Sequence, residues 1–93
     1  MFIGVLTLRL HLPGCRSLKE KRQRVGKLRD RFGKQTHISV CESDLADVHQ
    51  QAEWSFTATA GSRSVVEQTL QQIAVVARSE LDAVVVNEKV DFI

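Results

Sequence analysis

Four stretches of the chain alternate apolar and polar residues, which is the pattern of a half-buried β-strand. These predicted strands cover residues 2–12, 36–42, 51–60 and 82–93. In the first, leucines recur at every second position from Leu6 to Leu12, and a Pro-Gly pair then ends the strand. In the third, Trp54 and Phe56 share a face with two alanines, so we expect both rings to lie in the core. In the last strand, the apolar face is predicted to hold Val84, Val86, Val90 and Phe92.

Two further segments carry apolar residues at helical spacing. The first is predicted to begin at a capping box, Ser17 to Glu20, in which the Ser hydroxyl accepts a backbone N–H and the Glu carboxylate reaches back. Its buried stripe comprises Leu18, Val25, Leu28 and Phe32. We expect this helix to end near Phe32, with Gly33 in a left-handed closing turn. Gly26 lies mid-helix at a cost of about 1 kcal/mol relative to alanine, which indicates a weaker helix or a close packing contact.

The second helix is predicted to begin at another capping box, Ser64 to Glu67, and to end near Arg78. The element order is therefore β-α-β-β-α-β. Two amphipathic helices and four half-buried strands bury each other's apolar surfaces when both helices cover one face of a single antiparallel sheet. With right-handed crossovers, this arrangement is the ferredoxin-like α+β fold. For a chain of 93 residues, we expect a single domain spanning residues 1–93.

The other face of the predicted sheet is polar and open. It holds Thr7, Arg9, His11, Ser39, Ser55, Thr57, Thr59, Asn87 and Lys89. RNA-recognition modules place aromatic residues on that face to stack bases, and this chain places none there. The second strand is short and nearly uncharged before Glu42, so we expect it to lie at an edge of the sheet, where its unpaired backbone groups can bind a second copy of the chain. The open face of the sheet is the alternative surface for a homodimer.

Charge is distributed unevenly along the chain. The segment from Arg16 to Lys34 contains nine basic and two acidic residues, although the net charge of the whole chain is only +2. A basic element on an acidic body is typical of a protein with a polyanionic partner. The candidate nucleic-acid-binding residues are Arg16, Lys19, Arg24, Lys27, Arg31 and Lys34. The last four of these are predicted to form a stripe opposite the buried face of the first helix.

The same helix also contains acids that can neutralise this stripe. Glu20 precedes Arg24 by four residues and Asp30 precedes Lys34 by four, so both pairs can form helical ion pairs. Two functions therefore stay open. One is a binding module that contacts RNA phosphates through the first helix. The other is a protein-interaction module or homodimer in which the basic helix is merely solvated.

Other functions have little support in the residues present. Asp44, Asp47 and His49 match no recognised metal-ligand spacing, and Cys15 and Cys41 fit no zinc or redox motif. We therefore expect no metal, no cofactor, no small-molecule substrate and no enzymatic activity. No apolar run approaches the roughly 20 residues that cross a bilayer, and the N-terminus has the pattern of a strand and not of a signal peptide. We expect a cytoplasmic protein with no membrane partner.

The whole chain resembles a known family. Residues 12–22, which contain the run Ser-Leu-Lys-Glu-Lys-Arg, resemble the N-terminal signature of the YlxP-like family, a bacterial family of unknown function. The later pieces follow in the same order, and they are residues 38–42, then Asp44, Asp47 and Ala52, then Arg63 before Val66 and Glu67. The resemblance implies a ferredoxin-like domain and carries over no catalytic residue. It also implies a link to ribosomal RNA or the ribosomal particle, since members are often encoded among translation and ribosome-maturation genes. His49 and Gln51 stand where the family tends to have an aromatic residue and an arginine.

Overall fold

The computed structural model describes residues 1–93 and contains the six predicted elements in the predicted order. They are β1 (Phe2–His11), α1 (Leu18–Phe32), β2 (Ile38–Asp44), β3 (Gln51–Ala60), α2 (Arg63–Glu80) and β4 (Val84–Phe92). The strands form one sheet in the order β2-β3-β1-β4, and every pair of neighbours is antiparallel. The fold is the ferredoxin-like α+β arrangement that the hydrophobic pattern predicts.

The two middle strands hold the sheet together. β1 and β3 pair along their whole length, over ten residue pairs. This leaves β2 and β4 as the edge strands, which confirms the expected position of β2. The face of the sheet away from the helices is polar, as predicted, and its arginine on β1, Arg9, donates to the Glu53 carboxylate of β3 at 2.9 Å.

The core lies between the sheet and the two helices. Leu6, Leu8 and Leu10 of β1 are exposed by 1% or less, and Trp54 and Phe56 of β3 are buried as predicted. Each fully buried leucine side chain contributes about 1.5–3 kcal/mol relative to an exposed one. Neither helix combines the length with the apolar character needed to cross a membrane.

The ends of α1 follow the prediction in one contact and depart from it in two. Ser17 Oγ accepts the Glu20 backbone N–H at 3.1 Å, which confirms the cap. The Glu20 carboxylate binds Arg24 at 3.2 Å instead of reaching back to Ser17. The left-handed turn predicted at Gly33 is wrong, since its φ is −68°. The Gly33 N–H still donates to the Arg29 carbonyl at 2.8 Å, so helical hydrogen bonding continues through this residue.

The start of α2 also differs from the prediction. The helix begins at Arg63 with Ser62 at the N-cap, so the capping box predicted at Ser64 to Glu67 is wrong. The Ser64 hydroxyl lies 2.8 Å from that of Ser62. The Glu67 carboxylate accepts from Arg63 at 3.0 Å and is therefore engaged by a side chain one turn earlier.

A β-bulge changes which residues of β4 face the core. The register of β4 against β1 shifts beside Leu10, which lies opposite Val85. One extra residue reverses the alternation of side chains between the two faces of a strand. Beyond the bulge, Phe92 packs against the core as predicted, although Val90 on the same face is 50% exposed. Because of the bulge, Val85 packs against the core, whereas Val84 and Val86 are 52% and 57% exposed. The predicted burial of Val84 and Val86 is wrong for this reason.

Candidate nucleic-acid interface on the first helix

Helix α1 turns one side to the sheet, and its basic residues are distributed around the rest of its surface. The side that faces the sheet comprises Lys21, Val25, Leu28 and Phe32, all of which are buried. At 100° per residue, the cations then divide between the flank toward α2, the outer side, and the flank toward β2 and β3. These three groups have different surroundings.

The flank toward α2 holds two of the predicted binding residues in contacts within the protein. The Arg24 side chain is only 18% exposed, donates to the Pro13 carbonyl at 2.7 Å, and lies 3.4 Å from Asp82 in addition to its ion pair with Glu20. Arg31 binds the Glu80 carboxylate at 2.8 Å. The prediction that these two residues face away from the protein is wrong, because their side of α1 adjoins the end of α2.

The other four predicted binding residues are exposed and have no carboxylate at ion-pairing distance. They are Arg16, Lys19, Lys27 and Lys34. The Glu20–Arg24 ion pair predicted within the helix is present, whereas the pair predicted between Asp30 and Lys34 does not form. Lys34 follows the last helical residue by two positions, so the regular four-residue spacing on the helix surface ends before it.

The flank toward β2 and β3 contains two further arginines that the sequence reasoning missed. Arg22 and Arg29 are exposed and have no carboxylate partner. Their spacing of seven residues places them on one side of the helix, as it does for Arg24 and Arg31. That spacing was a signal in the sequence from which a second pair could have been recognised. With the four residues above, Arg22 and Arg29 form a group that we call the unpaired cations.

Lys21 is the only charged residue of α1 that faces the interior. It is 2% exposed, and its ammonium group donates to the carbonyls of Leu45 and Val48 at 2.7 and 2.8 Å. The Glu42 carboxylate lies 2.9 Å from the same nitrogen. Two hydrogen bonds and one ion pair therefore surround the ammonium group, which is engaged within the protein. Lys21 therefore ties α1 to the connection between β2 and β3 (residues 45–50).

A cavity of about 320 Å³, which we call the α1 cavity, lies between α1 and this connection. Its lining includes Arg22, Gly26, Arg29, Asp30, Asp47 and Trp54. Trp54 is 3% exposed, and its indole N–H has no hydrogen-bond partner within the chain. The Arg29 guanidinium lies over the Trp54 ring, 5.1 Å from its centre. A buried N–H without an acceptor costs about 1–3 kcal/mol, so folding leaves one buried donor unsatisfied in a residue beside the cavity.

The residues considered for other chemistry do not form a site. No group of three or more His, Cys, Asp or Glu side chains is arranged to hold a metal ion, so Asp44, Asp47 and His49 are not assembled into one. The Asp44 carboxylate instead accepts the backbone N–H of Leu45 at 2.8 Å. Cys15 is buried, and its thiol donates to the Ser17 carbonyl at 3.4 Å.

Comparison with known families is informative over nearly the whole chain. Residues 3–90 match a family described as a protein of unknown function, DUF503. The chain belongs to the DUF503 family. No curated protein matches this chain. The DUF503 description assigns no residue a role.

Proposed function

We propose that this DUF503 protein is a non-catalytic binding domain that contacts structured RNA through α1. The observation that carries the proposal is the group of unpaired cations. Of the nine basic residues between Arg16 and Lys34, six have no carboxylate partner in the chain. Folding does not require like charges at this density, since neighbouring cations on a helix repel each other. Phosphates offset that repulsion and release condensed counterions when they are neutralised.

The proposed mode of binding is contact with the backbone of the RNA. Cations on an exposed helix contact phosphates, which position the RNA without reading its sequence. The resemblance to the YlxP-like family favours ribosomal RNA or a ribosomal particle as the partner. The proposal entails a cytoplasmic location, in which Cys15 and Cys41 stay reduced.

The test removes three unpaired cations and measures the salt dependence of binding. In the variant Lys19→Gln/Lys27→Gln/Lys34→Gln, we expect weaker binding to a structured ribosomal RNA fragment. The slope of log K against log salt concentration should decrease by about 0.7–0.9 for each phosphate that the variant no longer neutralises. Binding is measured by fluorescence anisotropy of labelled RNA over a series of salt concentrations.

The matched control removes the same charge from cations that are already paired. In Arg9→Gln/Arg63→Gln/Arg78→Gln, every altered residue has a carboxylate partner and lies outside α1. We expect the slope of log K against log salt concentration for this variant to differ less from that of the unaltered protein than the slope of the first variant does. Equal reductions of the slope in the two variants, or no RNA binding even at low salt, would contradict the proposal.

We propose self-association as a second candidate function, in which the basic helix has no nucleic-acid role. The edge considered from the sequence is β2, which exposes Ser39 and Cys41. The edge strand β4 is the better candidate, because three of its valines are half exposed. These are Val84, Val86 and Val90, at 50–57%. An exposed apolar edge with unpaired backbone groups favours pairing with another strand, and in a homodimer the same edge of a second copy supplies it.

A further inference from the structure

The α1 cavity has the size and the surroundings of a ligand site. Its volume of about 320 Å³ falls at the lower end of the range for small-molecule pockets. It adjoins the unpaired cations, since Arg22 and Arg29 belong both to that group and to its lining. A ligand in the cavity can therefore belong to the same nucleic acid whose phosphates contact the unpaired cations on the surface of α1.

The polar groups of the cavity limit the chemistry of that ligand. Lys21 and Glu42 are engaged with each other. The remaining charged residues of the lining are two cations, Arg22 and Arg29, and two carboxylates, Asp30 and Asp47. None of these four is in an ion pair. A bare anion is repelled by the two carboxylates, and a bare cation is repelled by the two guanidinium groups. The lining fits a ligand that carries both hydrogen-bond acceptors and N–H donors.

Arg29, which lies over Trp54, adds a second requirement, which is a planar surface. The Arg29 guanidinium covers the indole ring, and Arg29 is an exposed residue. Guanidinium planes are surfaces on which unpaired RNA bases stack. A base also carries the ring nitrogens and carbonyl oxygens that accept hydrogen bonds.

Gly26 shapes the same cavity by having no side chain. A Cβ atom added at Gly26 meets no atom within 4 Å, so no packing contact requires glycine there. The helix nevertheless bears a cost of about 1 kcal/mol for it relative to alanine. Gly26 lies in the cavity lining, and any larger residue at this position would extend from that wall. The glycine therefore keeps open a space that folding leaves empty.

We propose that the α1 cavity binds one unpaired nucleobase of the RNA that contacts α1, and in this form the inference rests on the proposed function. The base stacks on the face of the Arg29 guanidinium that points away from Trp54, and it donates its own N–H groups to Asp47 or Asp30. Its phosphate lies at Arg22. A free nucleotide presents the same chemistry, so the experiment separates the two sources.

Trp54 provides a direct signal, because it is the only tryptophan in the chain. The unaltered protein is titrated with nucleoside 5′-monophosphates, with ribose 5-phosphate, with a short single-stranded RNA, and with the same RNA as a duplex. We expect saturable changes in Trp54 fluorescence with the nucleotides and the single strand. We expect the single strand to bind about tenfold more tightly than the duplex. Equal affinity for single strand and duplex, or a response to ribose 5-phosphate equal to that of a nucleotide, would overturn the inference.

Two variants test the cavity itself. Gly26→Leu fills the space with a good helix former, and its matched control Gln23→Leu adds the same side chain on the outer side of α1. We expect Gly26→Leu alone to lower affinity for the single strand about tenfold, to the level of the duplex. Arg29→Gln, which removes the stacking surface but no ion pair, should act in the same direction. If Gly26→Leu and Gln23→Leu bind the single strand equally, the cavity is not the site.

The outcomes separate this inference from the proposed function. If free nucleotides change Trp54 fluorescence but the protein does not bind RNA, the result supports the cavity site and contradicts the proposed RNA-binding function. If RNA binding is salt-dependent, is weakened in Lys19→Gln/Lys27→Gln/Lys34→Gln and is unchanged in Gly26→Leu, the result supports the proposed function and contradicts the cavity site.

Discussion

The buried side chain of Lys21 joins α1 to β2 and to the connection between β2 and β3. It is the only charged residue that the fold buries, and its ammonium group connects α1 to Glu42, Leu45 and Val48. Leu45 has a φ of 63°, an uncommon value for a residue with a branched side chain. Its carbonyl is one of the acceptors of Lys21, so the lysine stabilises the connection at its strained point.

Replacement of Lys21 should therefore affect stability more than any other charge substitution on α1. In Lys21→Met, the methylenes are retained, but the two carbonyls lose their donor and the Glu42 carboxylate loses its cation. We expect the free energy of unfolding to decrease by about 3 kcal/mol, as for one partner removed from a buried ion pair. The measurement is urea unfolding followed by circular dichroism. Lys27→Met, at an exposed position on the same helix, should change it by less than about 0.5 kcal/mol. Equal effects would show that the buried contacts add nothing.

At the scale of elements, two glycines have opposite roles. Gly4 lies in β1 where α2 crosses it, and a Cβ atom there would be 2.7 Å from Val66 Cγ1 and 3.0 Å from Leu70 Cδ1. Gly26 lies in α1 with open space around it. The first glycine permits a close approach of helix and strand, whereas the second weakens its helix and serves no packing contact.

Alanine at these two positions should change stability in opposite directions. We expect Gly26→Ala to raise the free energy of unfolding by about 1 kcal/mol, since alanine is the better helix former. We expect Gly4→Ala to lower it by about 1–3 kcal/mol, because the added methyl group overpacks the contact with α2. Thermal and denaturant unfolding of both variants check this. A destabilised Gly26→Ala protein would mean that the glycine serves the fold after all.

Elements were predictable where they depend on their own residues. The strand at 51–60 has the predicted bounds, because alternation and flanking turns lie within that segment. The cap at Ser17 was likewise predictable from the next three residues. The bulge in β4 was not, since it arises from the register against β1, and no residue within β4 indicates where the extra position falls.

At the scale of the whole molecule, folding redistributes the charge of the basic segment. Glu42, Glu80 and Asp82 all lie outside residues 16–34, and each pairs with a cation of α1. The concentration of charge that the sequence predicts is thereby reduced on the flank toward α2 and kept on the rest of α1. The candidate surface is consequently different from the predicted stripe, although it uses the same helix.

The edge strand β4 leads to a prediction about association. If β4 pairs with β4 of a second copy, we expect sedimentation of the unaltered protein at high concentration to give the mass of a dimer. We expect Val86→Lys to sediment as a monomer, because a lysine on an edge strand opposes pairing. Val75→Lys is the matched control, since Val75 is exposed to a similar degree on α2. A monomer at every concentration of the unaltered protein would exclude this homodimer.

The strands and helices followed from periodicity, because a side chain's face within an element depends on neighbours a few positions away. The edge position of β2 followed from the shortness and composition of that strand. The nine basic residues between Arg16 and Lys34 are also visible in the sequence. Which of them stay unpaired is not, because Arg24 meets Asp82 only after α2 has packed beside α1. The α1 cavity has the same origin. Trp54 and Arg29 are 25 positions apart, and their contact exists only once β3 and α1 enclose a common space.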